Sequence, residues 1–183
     1  MSSYSVATAS GASYGFSLNS SGYYESTNKG VNNSAAVCVV TLNITSLCDV
    51  VFSCINYAES NYDFGILSNL DTTLTTTNKA DSTNVKKSFK GSSKSSVQTV
   101  TYSSVSAGTH TIYVKYRKDS SVNSNNDSFQ FKISFISLVP PVSLPVNIGG
   151  SWKSTDSVYV NIGGIWKSVD SIHSNIGGSW KSQ

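Results

Sequence analysis

Three tryptophans recur at a fixed interval near the end of the 183-residue chain, Trp152, Trp166 and Trp180, each five residues after an asparagine, Asn147, Asn161 and Asn175. A row of indoles can form a stacking platform for sugar rings, or it can pack as glue against a partner subunit. Repeated Trp in a thin sheet serves the second purpose more often. A second aromatic set, Tyr23, Tyr24, Tyr57 and Tyr62, could line a sugar site by stacking and hydrogen bonding, or supply edge and core tyrosines of a sandwich. Asp119, Asn123, Asn125 and Asp127 could offer oxygen ligands to Ca²⁺ in a loop, or form a solvated turn. No other metal site suggests itself. Catalytic sets are missing from the sequence. There are two histidines, His110 and His173, and the second holds a repeat position where Tyr159 also occurs. Glu25 and Glu59 are the only glutamates, and their spacing implies no acid–base pair. No G-x-S-x-G elbow, H-E-x-x-H or phosphate-binding glycine loop is present. The expectation is a protein that is not an enzyme and needs no cofactor.

The tryptophans belong to a unit of fourteen residues: VNIGGSWKSTDSVY, then VNIGGIWKSVDSIH, then the truncated SNIGGSWKSQ. Each unit divides as five, two, five and two. Gly163-Gly164 suits a two-residue hairpin turn that needs positive φ at both positions, and Asp170-Ser171 suits a second short turn. This predicts a β-meander in which Asn161 lies opposite Trp166 and Trp166 opposite Asn175. The tryptophans would then stand about 10 Å apart along one cross-strand row. Tyr159 falls in the neighbouring row on the same face. A sheet this thin needs something to pack against, so the segment is expected to dock on another chain or on copies of itself.

The rest of the chain must position these groups. Charged residues make up 13% of it, while ten Tyr and seven Phe accompany abundant Ser, Thr, Asn and Gly. That balance points to an all-β protein with polar outer faces. Net charge is +3, and the one basic cluster, Lys86, Lys87, Lys90 and Lys94, reads as solvated lysines with no nucleic-acid partner. No run is long enough to span a membrane, and the start, MSSYSVATASGASYG, has no signal-peptide pattern. Cys38, Cys48 and Cys54 sit in apolar runs and read as small buried hydrophobes.

Residues 1–13 look like a flexible lead-in. Strands are expected at Tyr14–Leu18, Tyr23–Ser26, Ala35–Thr45, Asp49–Tyr57, Tyr62–Leu67, Asn84–Lys90, Val97–Tyr102, Thr109–Lys118 and Ser128–Ile136. In Ala35–Thr45, Cys38, Val40, Leu42 and Ile44 share one face. Asp49–Tyr57 is almost continuously apolar and is expected to be central. In the last two strands Ile112, Val114 and Tyr116, then Phe129, Phe131, Ile133 and Phe135, run in phase. Asp71–Asn84 is Thr-rich and loop-like. Short strands, regular turns and no convincing helix predict an antiparallel β-sandwich over 14–137. All three prolines fall at Pro140, Pro141 and Pro145, marking a semi-rigid linker at 138–145 before the meander of 146–183.

Two stretches carry resemblances. VSAGTHTIYVKYRKDSSVNSNNDSFQFKISF resembles the last two strands of jelly-roll carbohydrate-binding-like modules, which implies a jelly-roll-like sandwich and, since such modules often carry a Ca²⁺ ion, gives the Asp119–Asp127 loop its interest. Asn147–Lys153, Asn161–Lys167 and Asn175–Lys181 resemble the V-x-V/I-G-G-x-W-K repeats at the ends of tail and other virion proteins of phages and prophages of Gram-positive bacteria. That resemblance implies a structural or adhesive virion component, as a capsid decoration or a tail or neck fibre. It would be made in the host cytoplasm, form a homo-oligomer with other virion proteins as partners, and serve in host attachment where the head grips a bacterial surface glycan. The alternative is a stand-alone carbohydrate-binding module or adhesin.

Overall fold

The computed structural model describes residues 1–58, 62–90, 96–120 and 127–138, together with the strand backbones of 145–148, 151–154, 159–162, 165–168, 173–176 and 179–182. The chain divides into two compact units, Met1–Leu138 and Val139–Gln183.

The first unit is all-β among its described residues. Its strands are β1 (Ser3–Thr8), β2 (Phe16–Leu18), β3 (Tyr24–Ser26), β4 (Ala35–Ile44), β5 (Cys48–Tyr57), β6 (Phe64–Ser68), β7 (Val85–Lys90), β8 (Gln98–Val105), β9 (Gly108–Arg117) and β10 (Ser128–Ser137). They form two five-stranded sheets, β1-β4-β9-β6-β7 and β2-β3-β10-β5-β8. Four antiparallel pairs are nested in sequence: β6 with β7, β5 with β8, β4 with β9 and β3 with β10. The pairs fall alternately into the two sheets. This is the path of a long double strand rolled over a core, so the sandwich is a jelly roll.

Alternation along the strands builds that core. Cys38, Val40, Leu42 and Ile44 of β4 face Val50, Phe52 and Cys54 of β5 across the sandwich, with Ile112, Val114, Tyr116, Phe129 and Phe131 between and beside them. The sheets are in close contact at Gly65, where a β-carbon would stand 2.2 Å from the Phe129 ring. Any larger residue there would displace a fully buried aromatic. All three cysteines are buried and free, and burial pushes each thiol up, so they act as apolar filler.

Three expectations need correction. Residues 1–13 are not a lead-in: β1 pairs with β4 from Ser3 opposite Asn43 to Thr8 opposite Cys38. Tyr4 and Val6 pack on the main core, and Ala9 joins Ala35 and Val37 in a smaller one. The first expected strand, Tyr14–Leu18, begins only at Phe16. β5 is an inner strand, between β10 and β8, but it is buried on one face only, with Cys48, Val50, Phe52, Cys54 and Asn56 inward and the intervening residues half-exposed. Its outward Val51 and Ile55 made the run look apolar throughout.

In the second unit, β11 (Pro145–Ile148) pairs with β12 (Ser151–Ser154), β13 (Tyr159–Ile162) with β14 (Ile165–Ser168), and β15 (His173–Ile176) with β16 (Ser179–Ser182). Asn147 lies opposite Trp152, Asn161 opposite Trp166 and Asn175 opposite Trp180, the rungs expected of a two-residue Gly-Gly turn. The described strands pair only within each hairpin, so the expected meander resolves into three hairpins, and the further rung of Trp166 against Asn175 is not among their pairs. The Gly-Gly and Asp170-Ser171 turns and linker residues 139–144 lie outside the described residues.

Candidate functional site

A concave site lies on the outer face of the β1-β4-β9-β6-β7 sheet. On β6, β7 and β9, Leu67, Phe89, Val114 and Tyr116 turn into the core. The alternate positions therefore face outward. Phe64 lies opposite Arg117 on one side and Lys90 on the other, giving a cross-strand row of cation, ring and cation. The Lys90 Nζ stands 5.4 Å from the Phe64 ring centroid and the guanidinium of Arg117, the chain's single arginine, 6.0 Å away. Both distances suit cation–π attraction.

One wall comes from the β6–β7 connection, residues 69–84, which holds neither strand nor helix. It lies against the sheet because Lys115 of β9 reaches out and is covered by it. Lys115 Nζ donates to Thr75 Oγ1 at 2.9 Å, to the Lys79 carbonyl at 2.7 Å and to Asp81 Oδ2 at 2.6 Å. The lysine side chain is 0% exposed and that of Asp81 5%. Burial pushes the Lys115 ammonium down from its ordinary value, and the Asp81 carboxylate opposes that without overcoming it. Arg117 Nε adds a bond to the Asn78 carbonyl at 3.2 Å.

The result is a groove of about 240 Å³ lined by Phe64, Ile66, Ala80, Asp81, Ser88, Lys90 and Arg117. Asp81 is neutralised by Lys115. Among the described residues, neither Lys90 nor Arg117 is in an ion pair. The groove thus sets two positive charges beside an apolar floor. It suits a ligand with an anionic group next to an apolar face. Of these residues the sequence marks only Lys90, as part of a basic cluster.

The structure takes Tyr24 out of the expected tyrosine patch. Tyr24 points inward, its ring stacked on Phe131 at 5.4 Å and 17° and edge-on to Tyr4 at 6.2 Å. It is a core support, because β3 places it in the inward phase. Tyr23 lies near Lys132, with Nζ 5.9 Å from its ring. Tyr57 ends β5 opposite Ser128, four residues along β10 from Lys132, or ~13 Å at the strand rise. Tyr62 is 56% exposed and precedes β6.

The expected calcium loop is also corrected. Asp127 turns into the protein and meets the Lys118 ammonium at 3.1 Å, and Asp63 meets the same ammonium at 3.3 Å. An internal cation takes the place of an external one. Asp119 contributes its backbone, donating to Asp63 Oδ1 at 2.9 Å. Asn123 and Asn125 lie outside the described residues, among which no cluster of His, Cys, Asp or Glu is arranged for a metal.

His110 bonds Asp71 Oδ2 through Nδ1 at 2.8 Å, but its Nε2 meets the Ser106 carbonyl at 3.1 Å rather than a hydroxyl. The pair fixes the Asp71 turn instead of activating a nucleophile. On the outer face of the other sheet, Glu25 accepts from Lys29 at 2.6 Å, Ser128 at 2.8 Å and Gln130 at 2.7 Å. Partial burial pushes the Glu25 carboxyl up, but these partners together hold it below its ordinary value.

For the repeats, the described backbone places Asn147, Asn161 and Asn175 opposite Trp152, Trp166 and Trp180, and Tyr159 opposite Ser168. No protein-family model matches the chain, and no curated protein is similar to it.

Proposed function

We propose that this chain is a non-enzymatic structural and adhesive component of a phage virion, a capsid decoration or a tail or neck fibre, that assembles through its C-terminal hairpins. The observation that carries this reading is the threefold recurrence of one Asn–Trp rung in tandem hairpins. A lone two-stranded hairpin is marginal in water, so a series of alike hairpins calls for a partner surface, and a second copy of the chain offers one. The repeat's resemblance to virion-protein termini supplies the context. Light scattering on residues 1–138 and on the full chain tests it. The full chain should form a defined oligomer that Trp166→Ala weakens, while 1–138 stays monomeric. Monomers in both cases would refute assembly through the hairpins.

A second reading, a head that binds host-surface glycans, is favoured by the groove over Phe64. Its charges suit glycans bearing carboxylate or phosphate groups. A glycan screen with the parent and Arg117→Met should show binding to acidic glycans that the variant loses. Binding that is absent, or indifferent to Arg117, would refute it and leave the head a structural part.

A further inference from the structure

Lys118, Asp63 and Asp127 meet at one end of the sandwich, each one residue from a strand end: Asp63 precedes β6, Lys118 follows β9 and Asp127 precedes β10. The Lys118 Nζ lies 3.1 Å from Asp127 Oδ2 and 3.3 Å from Asp63 Oδ2, and the side chains keep 1%, 7% and 1% exposure respectively. Two carboxylates therefore share one ammonium out of water. Passing the ammonium's proton to Asp63 gives a neutral amine beside one carboxylic acid, with Asp127 remaining a carboxylate. Those are the reactants of amide formation. Fixed neighbours of this kind reach effective molarities on the order of 10⁵–10⁸ M when the alignment is productive.

The two acids are not equivalent. Asp63 Oδ1 accepts the Asp119 backbone N–H at 2.9 Å, and its Oδ2 accepts the Tyr116 hydroxyl at 3.3 Å. A backbone N–H aimed at Oδ1 stabilises the negative charge that builds there when a nucleophile adds to Cγ. Asp127 lies nearer to Nζ and is placed to take a proton and return it. The scaffold holds the amine in register, since the Lys118 backbone N–H donates to the Ser34 carbonyl at 2.8 Å.

We propose that Lys118 and Asp63 condense within the folded chain to an isopeptide bond, with Asp127 transferring the proton. The Nζ–Cγ bond forms as one Nζ proton passes to Asp127. The Cγ–Oδ2 bond then breaks, and that oxygen leaves as water with a proton delivered by Asp127, which ends as it began. One water is lost and no oxidant or other reactant is needed. The bond ties the start of β6 to the end of β9 in a sandwich whose three cysteines are all free.

Intact mass of the denatured full-length protein tests this, with mapping of the branched tryptic peptide. The parent should weigh one water less than its sequence, with Lys118 joined to Asp63. Lys118→Arg and Asp127→Asn should fold, by circular dichroism, and keep their full masses. Asp63→Asn should lose ammonia instead of water and converge on the cross-linked mass of the parent. Asp63→Asn and Asp127→Asn keep side-chain shape, so one informative variant remains if Lys118→Arg fails to fold. A folded parent that keeps its full mass after long incubation overturns the proposal. So does a branch at Asp127, or an Asp127→Asn variant that cross-links as fast as the parent.

Discussion

Replacing Lys115 with methionine tests what holds the groove together. The substitution keeps a long apolar stem and removes one charge from a site where the lysine is 0% exposed. Three acceptors lose their donor: Thr75 Oγ1, the Lys79 carbonyl and the Asp81 carboxylate. Each bond from the ammonium to a neutral acceptor contributes about 1.5–3 kcal/mol, and breaking a buried ion pair from one side costs about 3–5 kcal/mol. The sum, about 6–11 kcal/mol, applies if residues 69–84 stay in place. The connection can instead lift and carry Asp81 into water, which caps the loss at the free energy of that local opening. The expected result is a drop of about 2–4 kcal/mol in urea unfolding, with backbone amides of the connection exchanging far faster while those of β4 and β9 stay protected. Adding Asp81→Asn should recover part of the loss, because it removes the uncompensated charge. Unchanged stability and unchanged protection of the connection in Lys115→Met would refute the clamp. A double variant no better than the single one would refute its ionic origin.

Gly65→Ala should destabilise the head by about 1–3 kcal/mol, since the new methyl meets the Phe129 ring at 2.2 Å; chemical denaturation reads this, with Gly22→Ala, where nothing lies within 4 Å but φ is +77°, as a strain-only comparison. Tyr24→Ala should lower stability by about 2 kcal/mol through the lost ring packing, while the exposed Tyr62→Ala should change it by less than about 0.5 kcal/mol. Acid should weaken the fold through Glu25 and Asp71, both held below their ordinary values. For Asp71, burial pushes the carboxyl up and is outweighed by bonds from His110 and Thr111 and by the His110 charge. A carboxyl lowered in the folded state contributes stability that is fully present above its unfolded pKa and is lost as pH falls through the folded one. Thermal melts should therefore fall steeply below about pH 4, and less steeply for Glu25→Gln.

The strands were legible where alternation was strict and faces were chemically distinct. Ile112, Val114 and Tyr116, then Phe129, Phe131 and Ile133, announce their inward face, and all are buried. β1 was hidden because only Tyr4 and Val6 mark a face in a run of Ser, Ala and Thr, and its stability comes from a full-length ladder on β4. The groove was hidden for a different reason. Phe64, Lys90 and Arg117 come from three strands, and only the order β9-β6-β7 makes them a row. Lys115 alternates as an outward residue should, and no local signal tells that a distant connection will cover it. The same holds for Asp127, which reads as part of a polar loop yet turns inward to a lysine nine residues back. In the repeats, by contrast, the period and the Gly-Gly pairs were enough to set the Asn–Trp rung within each hairpin, because a two-residue turn leaves no freedom in register, but not the pairing of one hairpin with the next.

The nesting of the four strand pairs has a consequence for how the head is made. Bringing β3 to β10 from an open chain would close a loop of most of the domain, at a large entropic cost. Closing β6 on β7 first spans only the 69–84 connection. Each outer pair then begins from ends already brought near, so β5 can join β8, β4 can join β9 and β3 can join β10 in turn. The roll can thus form as a zipper, from its fold outward, with no single step that closes a long loop. β1 lies outside this series, and its ladder needs β4 already in place. It should be the last strand to acquire amide protection during refolding and the first to lose it.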